Sequence, residues 1–505
     1  MASGRLAHAL ITPAAPPRPR PALRATLAGA LALAVLTGCA PSGATDEPPG
    51  LPKATGTATA PATSQATPAA GGAVGAPGIG DPDFPTDGNG GYDVRHYNLV
   101  LAYDPATKHL DGTATIQARA TQELARFNLD LSGLTVQSVR VGGTPAQFSR
   151  QGTELSVSPP AALKDDQDFT VEVRYGGRPG PIRDANNLGV YGFVATPDGA
   201  FVTCEPNGAK TWFPGNDHPA DKATFDFSIT VPQGVTALAN GEMTAQPATS
   251  GGKTTYTWRE RHPMVTYLAT MTLGKFQLKQ GKTEDGIPNL AAVDPQYADS
   301  LQRLYTTSGE ITDYWSTVFG PYPFSSTGGV VDDFNAGYAL ENQTKPIYGG
   351  FDPDETIIAH ELAHQWFGNS VSIRRWQDLW LNEGFATYAE WLWSEHKGKG
   401  TAEAMFKTYY NSKDDPMWAY PPGKARPDDL FNNSVYTRGG LTLHALRQRI
   451  GDPAFFKLLR DWAQENKYGN ATTDQFIAMA EKVSGKDLDK LFQAWLFTPE
   501  RPTSW

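Results

Sequence analysis

From Tyr92 to about Phe276 apolar and polar residues alternate in short runs, as in Tyr97-Asn98-Leu99-Val100-Leu101, Thr113-Ala114-Thr115-Ile116-Gln117-Ala118-Arg119 and Phe169-Thr170-Val171-Glu172-Val173-Arg174. Gly, Pro, Asp and Asn separate the runs. A period of two buries one side of each strand, so this half of the chain is expected to be an antiparallel sandwich or saddle. After about Ile287 the period lengthens. Leu301 to Phe319, Asp354 to Phe367, Leu379 to His396, Leu441 to Ile450, Pro453 to Gln464 and Thr473 to Val483 then read as helices. The fold class expected is α+β multidomain: an N-terminal β domain over residues 87–284, then a mainly helical domain over 285–505.

Residues 40–80 contain only Asp46, Glu47, Leu51, Lys53, Gln65, Val74 and Ile79 outside the set Ala, Gly, Pro, Ser and Thr. Such a stretch cannot bury enough apolar surface to offset its chain entropy, and residues 40–86 are expected to be a disordered tether. Ahead of it, Arg5, Arg18, Arg20 and Arg24 precede an apolar run from Ala25 to Val35 and then Leu36-Thr37-Gly38-Cys39. The run is short for a bilayer span and fits the apolar region of an export signal. Leu-Thr-Gly-Cys resembles a bacterial lipobox, so residues 1–39 are expected to be a lipoprotein signal. Lipid on Cys39 would anchor an exported protein on the outer face of the cytoplasmic membrane, or the protein would be released from it. With Cys39 lipidated, only Cys204 remains, and no internal disulfide can form.

The whole chain has 43 basic and 53 acidic side chains, net charge −10; residues 81–505 alone carry 38 and 51. That surface repels phosphate backbones and argues against nucleic acid as a partner. The charge pattern points to no protein partner.

Chemistry concentrates in the helical half. His360-Glu361-Leu362-Ala363-His364 places two imidazoles four residues apart, on one helical face, within reach of one metal ion. Asp352 is expected as N-cap, Pro353 at the first helical position, Glu355 in a capping box and Gly368 at the C-terminal stop. After a gap of eighteen residues, Glu383 follows in Leu379-Trp380-Leu381-Asn382-Glu383-Gly384-Phe385-Ala386. A second, antiparallel helix would return its carboxylate to the metal. Two nitrogens and one oxygen leave a tetrahedral position open, the pattern of a catalytic rather than a structural zinc site.

His-Glu-x-x-His, the gap and Trp-Leu-Asn-Glu-Gly-Phe-Ala together resemble the gluzincin aminopeptidases of the aminopeptidase N family, over roughly residues 92 to 500, in a short bacterial lipoprotein form. The resemblance implies a thermolysin-like catalytic domain with one Zn²⁺ on His360, His364 and Glu383. It implies Glu361 as general base and, from Val435-Tyr436-Thr437-Arg438-Gly439-Gly440, Tyr436 as the donor to the oxyanion. Tyr338-Ala339-Leu340-Glu341-Asn342 resembles the family's Gly-x-Met-Glu-Asn motif, with Ala339, Glu341 and Asn342 on the substrate side and Glu341 on its α-ammonium. Glu205, in Thr203-Cys204-Glu205 where the family has Gln-x-Glu, would supply a second carboxylate there. Thr203 and Tyr338 are the departures from the pattern, and Tyr338 bears on the first side-chain pocket. The activity implied is cleavage of the N-terminal peptide bond of peptides. A zinc endopeptidase, an epoxide hydrolase and a non-catalytic peptide-binding surface lipoprotein are the alternatives. About 120 residues follow Glu383, which implies a two-domain form with an open cleft that admits longer or bulkier peptides.

Overall fold

The computed structural model describes residues 72–185 and 187–505. The export signal, Cys39 and the tether as far as residue 71 lie outside the described residues. No helix among the described residues is long and apolar enough to cross a membrane.

An N-terminal β-rich domain precedes a mainly helical domain. The β domain is built on a nine-stranded sheet whose middle strands are Lys222–Pro232, Tyr92–Asp104, His109–Ala120 and Asp168–Gly177. Along Tyr92–Asp104 the alternation buries Tyr97, Leu99, Leu101 and Tyr103 in the core, as a period of two requires. The expected antiparallel pairing holds at His109–Ala120 but not throughout. Tyr92–Asp104 runs parallel to Lys222–Pro232, because a crossover of more than a hundred residues, not a hairpin, joins them. Two smaller sheets lie beside it; one includes Gly189–Ala195 and Ala200–Thr203.

The helical half contains a sheet that the periodicity did not reveal. Its five strands run in the order Gln277–Lys282, Pro288–Val293, Thr327–Asp332, Ile347–Gly349, Ala339–Leu340. Thr327–Asp332 is buried at every position, so it has no alternation to read. Gln277–Lys282 had been expected in the β domain. It instead forms a hairpin with Pro288–Val293, so the sheet extends across the 284/285 boundary.

Helix α1 is Leu301–Phe319, as expected. Helix α2, Glu355–Ala363, starts later and stops sooner than its apolar pattern implied. Its N-cap is Asp354, whose carboxylate accepts from the Thr356 and Ile357 amides at 2.8 and 3.1 Å; Asp352 instead pairs with Arg303 on α1. The chain leaves the helix at His364 and turns at Gly368, where φ is +127°. Helices α3 (Trp380–His396), α4 (Ala402–Tyr410), α5 (Gly439–Ile450), α6 (Asp452–Glu465) and α7 (Thr473–Ser484) complete the main helical body. Trp380, Trp391 and Trp393 of α3 are core residues.

Residues 72–86, placed in the tether by composition, are packed onto the fold. Ala73–Val74 pairs with Leu124–Asp130. Asp81 is 2% exposed; its carboxylate accepts from the Trp376 amide of the helical domain at 2.9 Å and lies 3.2 Å from Nε2 of His218 in the β domain. His218 Nδ1 accepts from the Ala220 amide, so Nε2 carries the proton donated to Asp81. Phe84 lies against the Trp376 ring. Two anchors just beyond the low-complexity run thus join the domains.

Burial raises the Asp81 carboxyl, but the His218 and Trp376 donors outweigh it and hold the net value below the ordinary one. Its contribution to stability is therefore full above about pH 4 and is lost as the pH falls through the lowered value. Asp81→Ala leaves two buried donors unpaired and is expected to destabilise the fold by about 1–3 kcal/mol near neutrality. Thermal melts of wild type and variant, compared at neutral and acid pH, check this: the difference should shrink in acid.

Candidate metal centre

Two helices bring three side chains to one point. His360 and His364 sit on the last turn and C-cap of α2, and Glu383 on the first turn of α3. The Glu383 Oε2 lies 3.3 Å from Nε2 of His360 and 3.4 Å from Nε2 of His364. The other ring nitrogens are spoken for. Nδ1 of His364 meets the Phe367 carbonyl at 3.1 Å, and Nδ1 of His360 meets Oε1 of Glu390 at 2.7 Å. A carbonyl can only accept, so the His364 proton sits on Nδ1, and the carboxylate of Glu390 favours the same tautomer in His360. Both Nε2 lone pairs then face a carboxylate oxygen, an arrangement that calls for a cation.

The surrounding carboxylates favour positive charge at both imidazoles. Burial works against a charge on His364, but the Glu383 and Glu341 carboxylates outweigh it and hold the imidazole up to about 9; His360 is raised well above its usual value against the same burial. Burial alone would raise Glu383, yet the two imidazoles hold it down to about 2. The donor set, two imidazole nitrogens and one carboxylate oxygen with Glu390 oriented behind, fits a catalytic zinc ion. A zinc-binding triad is therefore present in the fold.

Three further carboxylates crowd the same pocket. Glu361, 4% exposed, points from α2; burial pushes its carboxyl up to about 8 despite the two imidazoles. Glu341 follows the edge strand Ala339–Leu340, and Glu205 follows strand Ala200–Thr203 of the β domain. Oxygens of Glu205, Glu341 and Glu383 lie within 4.8 Å of one another, and Glu341, Glu361 and His364 are equally close. Glu205 is raised well above its usual value, by burial first and then by Glu341, Glu383 and Glu361. Its Oε1 is buried with no hydrogen-bond partner. Oxygens packed this way, with no basic side chain among the groups acting on Glu205, form a second place where positive charge is wanted.

The remaining expected residues divide. Tyr436 lies on a turn of π-helix, Ser434–Arg438, with its ring stacked 6.2 Å from that of His360. Close contact between α3 and α5 sets this approach: a Cβ added at Gly384 or Gly439 would lie 2.8 Å from the other glycine's Cα. Ala339 is half-buried on the outermost strand of its sheet, bonded on one side only among the described strands. Asn342 does not reach toward the cluster by its amide nitrogen, which donates to the Leu268 carbonyl at 2.9 Å; it holds the turn Thr266–Leu268.

That turn carries a residue the sequence reading missed. The Tyr267 hydroxyl donates to Oε1 of Glu341 at 3.1 Å and receives the Asn382 amide at 3.4 Å. Nothing local marked it, since Tyr267 comes from the β half and meets Glu341 only through the fold. Gln365 and Asn369 likewise fix the Glu341 carbonyl, at 3.1 and 2.8 Å. Glu390 was findable: it lies seven residues beyond Glu383, two turns along the same face of α3.

Comparison with known proteins agrees with this geometry. Residues 94–268 match the Peptidase M1 N-terminal domain and residues 352–495 the Peptidase family M1 domain. Aminopeptidase M1 of Arabidopsis thaliana is 27% identical over 445 residues, covering 79% of this chain and 50% of that protein. Aminopeptidase N of Lactococcus lactis is 28% identical over 446 residues, covering 81% and 51%. The chain thus spans about half the length of the curated relatives it matches. An M1 zinc metallopeptidase from Deinococcus radiodurans superposes with a TM-score of 0.79 at 29% identity, over 85% of this chain and 98% of that one. A mutant of the Deinococcus enzyme bound to a Tyr-Ser-Ala substrate superposes at 0.76 and 28%, over 85% and 98%. Family matches on both domains, a shared two-domain architecture and an assembled His-His-Glu triad make this chain a homologue of the M1 zinc metallopeptidases.

Proposed function

We propose that the protein is a zinc-dependent aminopeptidase that hydrolyses the N-terminal bond of peptides. The observation that carries this reading is the pairing of two cation-demanding sites in one pocket: the His360, His364, Glu383 triad, and beside it Glu205 and Glu341 with an unpartnered buried oxygen. The first suits a divalent metal and the second an α-ammonium. Their adjacency, through Glu383 and Glu341, puts the bond nearest the amino terminus beside the metal.

Zinc held by His360, His364 and Glu383 would supply Lewis acidity, activating water and polarising the scissile carbonyl. Glu361 accepts the proton of the attacking water and returns it to the leaving amine. Its carboxyl lies with Glu341 and His364 beside the triad, within reach of both transfers. Tyr436 is a phenol held protonated by burial and by the surrounding carboxylates, and it donates to the oxyanion. Tyr267 keeps Glu341 turned toward the ammonium through its hydroxyl bond. The outermost strand at Ala339 offers backbone groups for an extended peptide to pair with. The M1 relatives named aminopeptidases and the neighbour bound to Tyr-Ser-Ala support the same reading. On the sequence signal alone, the reading places the enzyme outside the cytoplasmic membrane on a lipid at Cys39.

Aminoacyl reporter amides and their N-acetylated counterparts test it. Hydrolysis of the free-amine form alone, abolished by chelator and restored by zinc, is expected; equal cleavage of both forms would instead mark an endopeptidase. Glu361→Gln should lower kcat about 10²–10⁴-fold while leaving bound zinc in place. Glu390→Gln should weaken zinc binding about 10–100-fold, measured by competition with a chromophoric chelator. Unchanged zinc affinity would remove Glu390 from the site.

A further inference from the structure

The two departures from the family pattern meet in space. Thr203 Oγ1 and the Tyr338 hydroxyl are 2.7 Å apart, and the same hydroxyl lies 2.8 Å from the Val190 carbonyl. Thr203 is 0% and Tyr338 4% exposed, so water does not compete. The polarity of this chain is fixed by chemistry. The Val190 carbonyl can only accept, so Tyr338 spends its one proton there, and Thr203 must donate to the Tyr338 oxygen. Val190 and Thr203 belong to the β domain, on paired strands, whereas Tyr338 leads into the outermost strand of the helical domain.

Glu205 stands two residues beyond Thr203, and Glu341 three beyond Tyr338. The two glutamates differ in how they are held. Glu341 is fixed by Tyr267 at its side chain and by Gln365 and Asn369 at its carbonyl. Glu205 has an unpartnered buried Oε1 and like charges around it, so its position depends on the backbone that carries it. That backbone is tied across the domain boundary at Thr203.

We propose that Thr203 and Tyr338 form a positioning tie that sets the distance between Glu205 and Glu341, and so the affinity of the pocket for an α-ammonium. The tie rests on the aminopeptidase reading and concerns substrate binding, not the chemical step.

Kinetics on one aminoacyl reporter amide test it with Tyr338→Phe, Thr203→Val, Thr203→Ser and the Phe/Val double variant. Tyr338→Phe removes both hydrogen bonds and should raise KM about 5–10-fold with kcat within about twofold, the range of one to two hydrogen bonds. Thr203→Val breaks only one bond and should raise KM less. Thr203→Ser keeps the donor and should restore wild-type KM. Because the pair acts as one unit, the double variant should match Tyr338→Phe. Unchanged KM in Tyr338→Phe, or effects of the two substitutions that multiply, would overturn the tie. So would a lowered melting temperature with KM unmoved, which marks a merely structural contact. A wild-type protein that leaves the free-amine substrate intact would overturn the aminopeptidase reading and, with it, the tie's role.

Discussion

The constraint on which the site depends is the burial of four carboxylates against only two imidazoles. Glu205, Glu341, Glu361 and Glu383 occupy one water-poor pocket, each no more than 4% exposed. Carboxylates in such a place either take up protons or find cations, because desolvation penalises their charged form. The pocket divides the two outcomes. Glu383, facing two imidazoles, is held ionised; Glu205 and Glu361 are pushed toward the protonated form. A divalent ion on one side and an ammonium on the other would relieve both kinds of strain together. On the proposed reading, recognition of a free amino terminus and activation of the adjacent bond would both follow from one distribution of charge.

The fold keeps this unfavourable arrangement from relaxing. Its groups come from both halves of the chain, and hydrogen bonds cross between those halves. Asp81 joins Trp376 to His218, Tyr267 reaches from the β domain to Glu341, and Tyr338 crosses in the other direction to Thr203 and Val190. Within the helical domain, the contact of Gly384 with Gly439 lets α3 and α5 approach closely enough to bring Tyr436 beside His360. Glycine next to the third ligand is thus a packing requirement.

Much of this was readable beforehand because it is local. The His-Glu-x-x-His spacing is a property of one helix, and α1 follows from its apolar period to the residue. What was not readable depends on distant partners. The N-cap of α2 is Asp354, two residues beyond the expected Asp352, which pairs with Arg303 on α1 instead. The strand Thr327–Asp332 is buried on both faces and so lacks the alternation that would announce it. Residues 72–86 read as tether because the anchors, Asp81 and Phe84, stand just past the run of small residues and nothing local shows the distant groups they meet. Tyr267 carried no signal at all, whereas Glu390 was visible as the next residue but two turns on the face of Glu383.

X-ray absorption at the zinc edge of the purified protein tests the central claim most directly. The account predicts one zinc per chain, with two imidazole nitrogens at about 2.0–2.1 Å, a carboxylate oxygen and no sulfur, and loss of that ion in His364→Ala. Zinc that is absent, sulfur-bound, or retained unchanged in His364→Ala would contradict it.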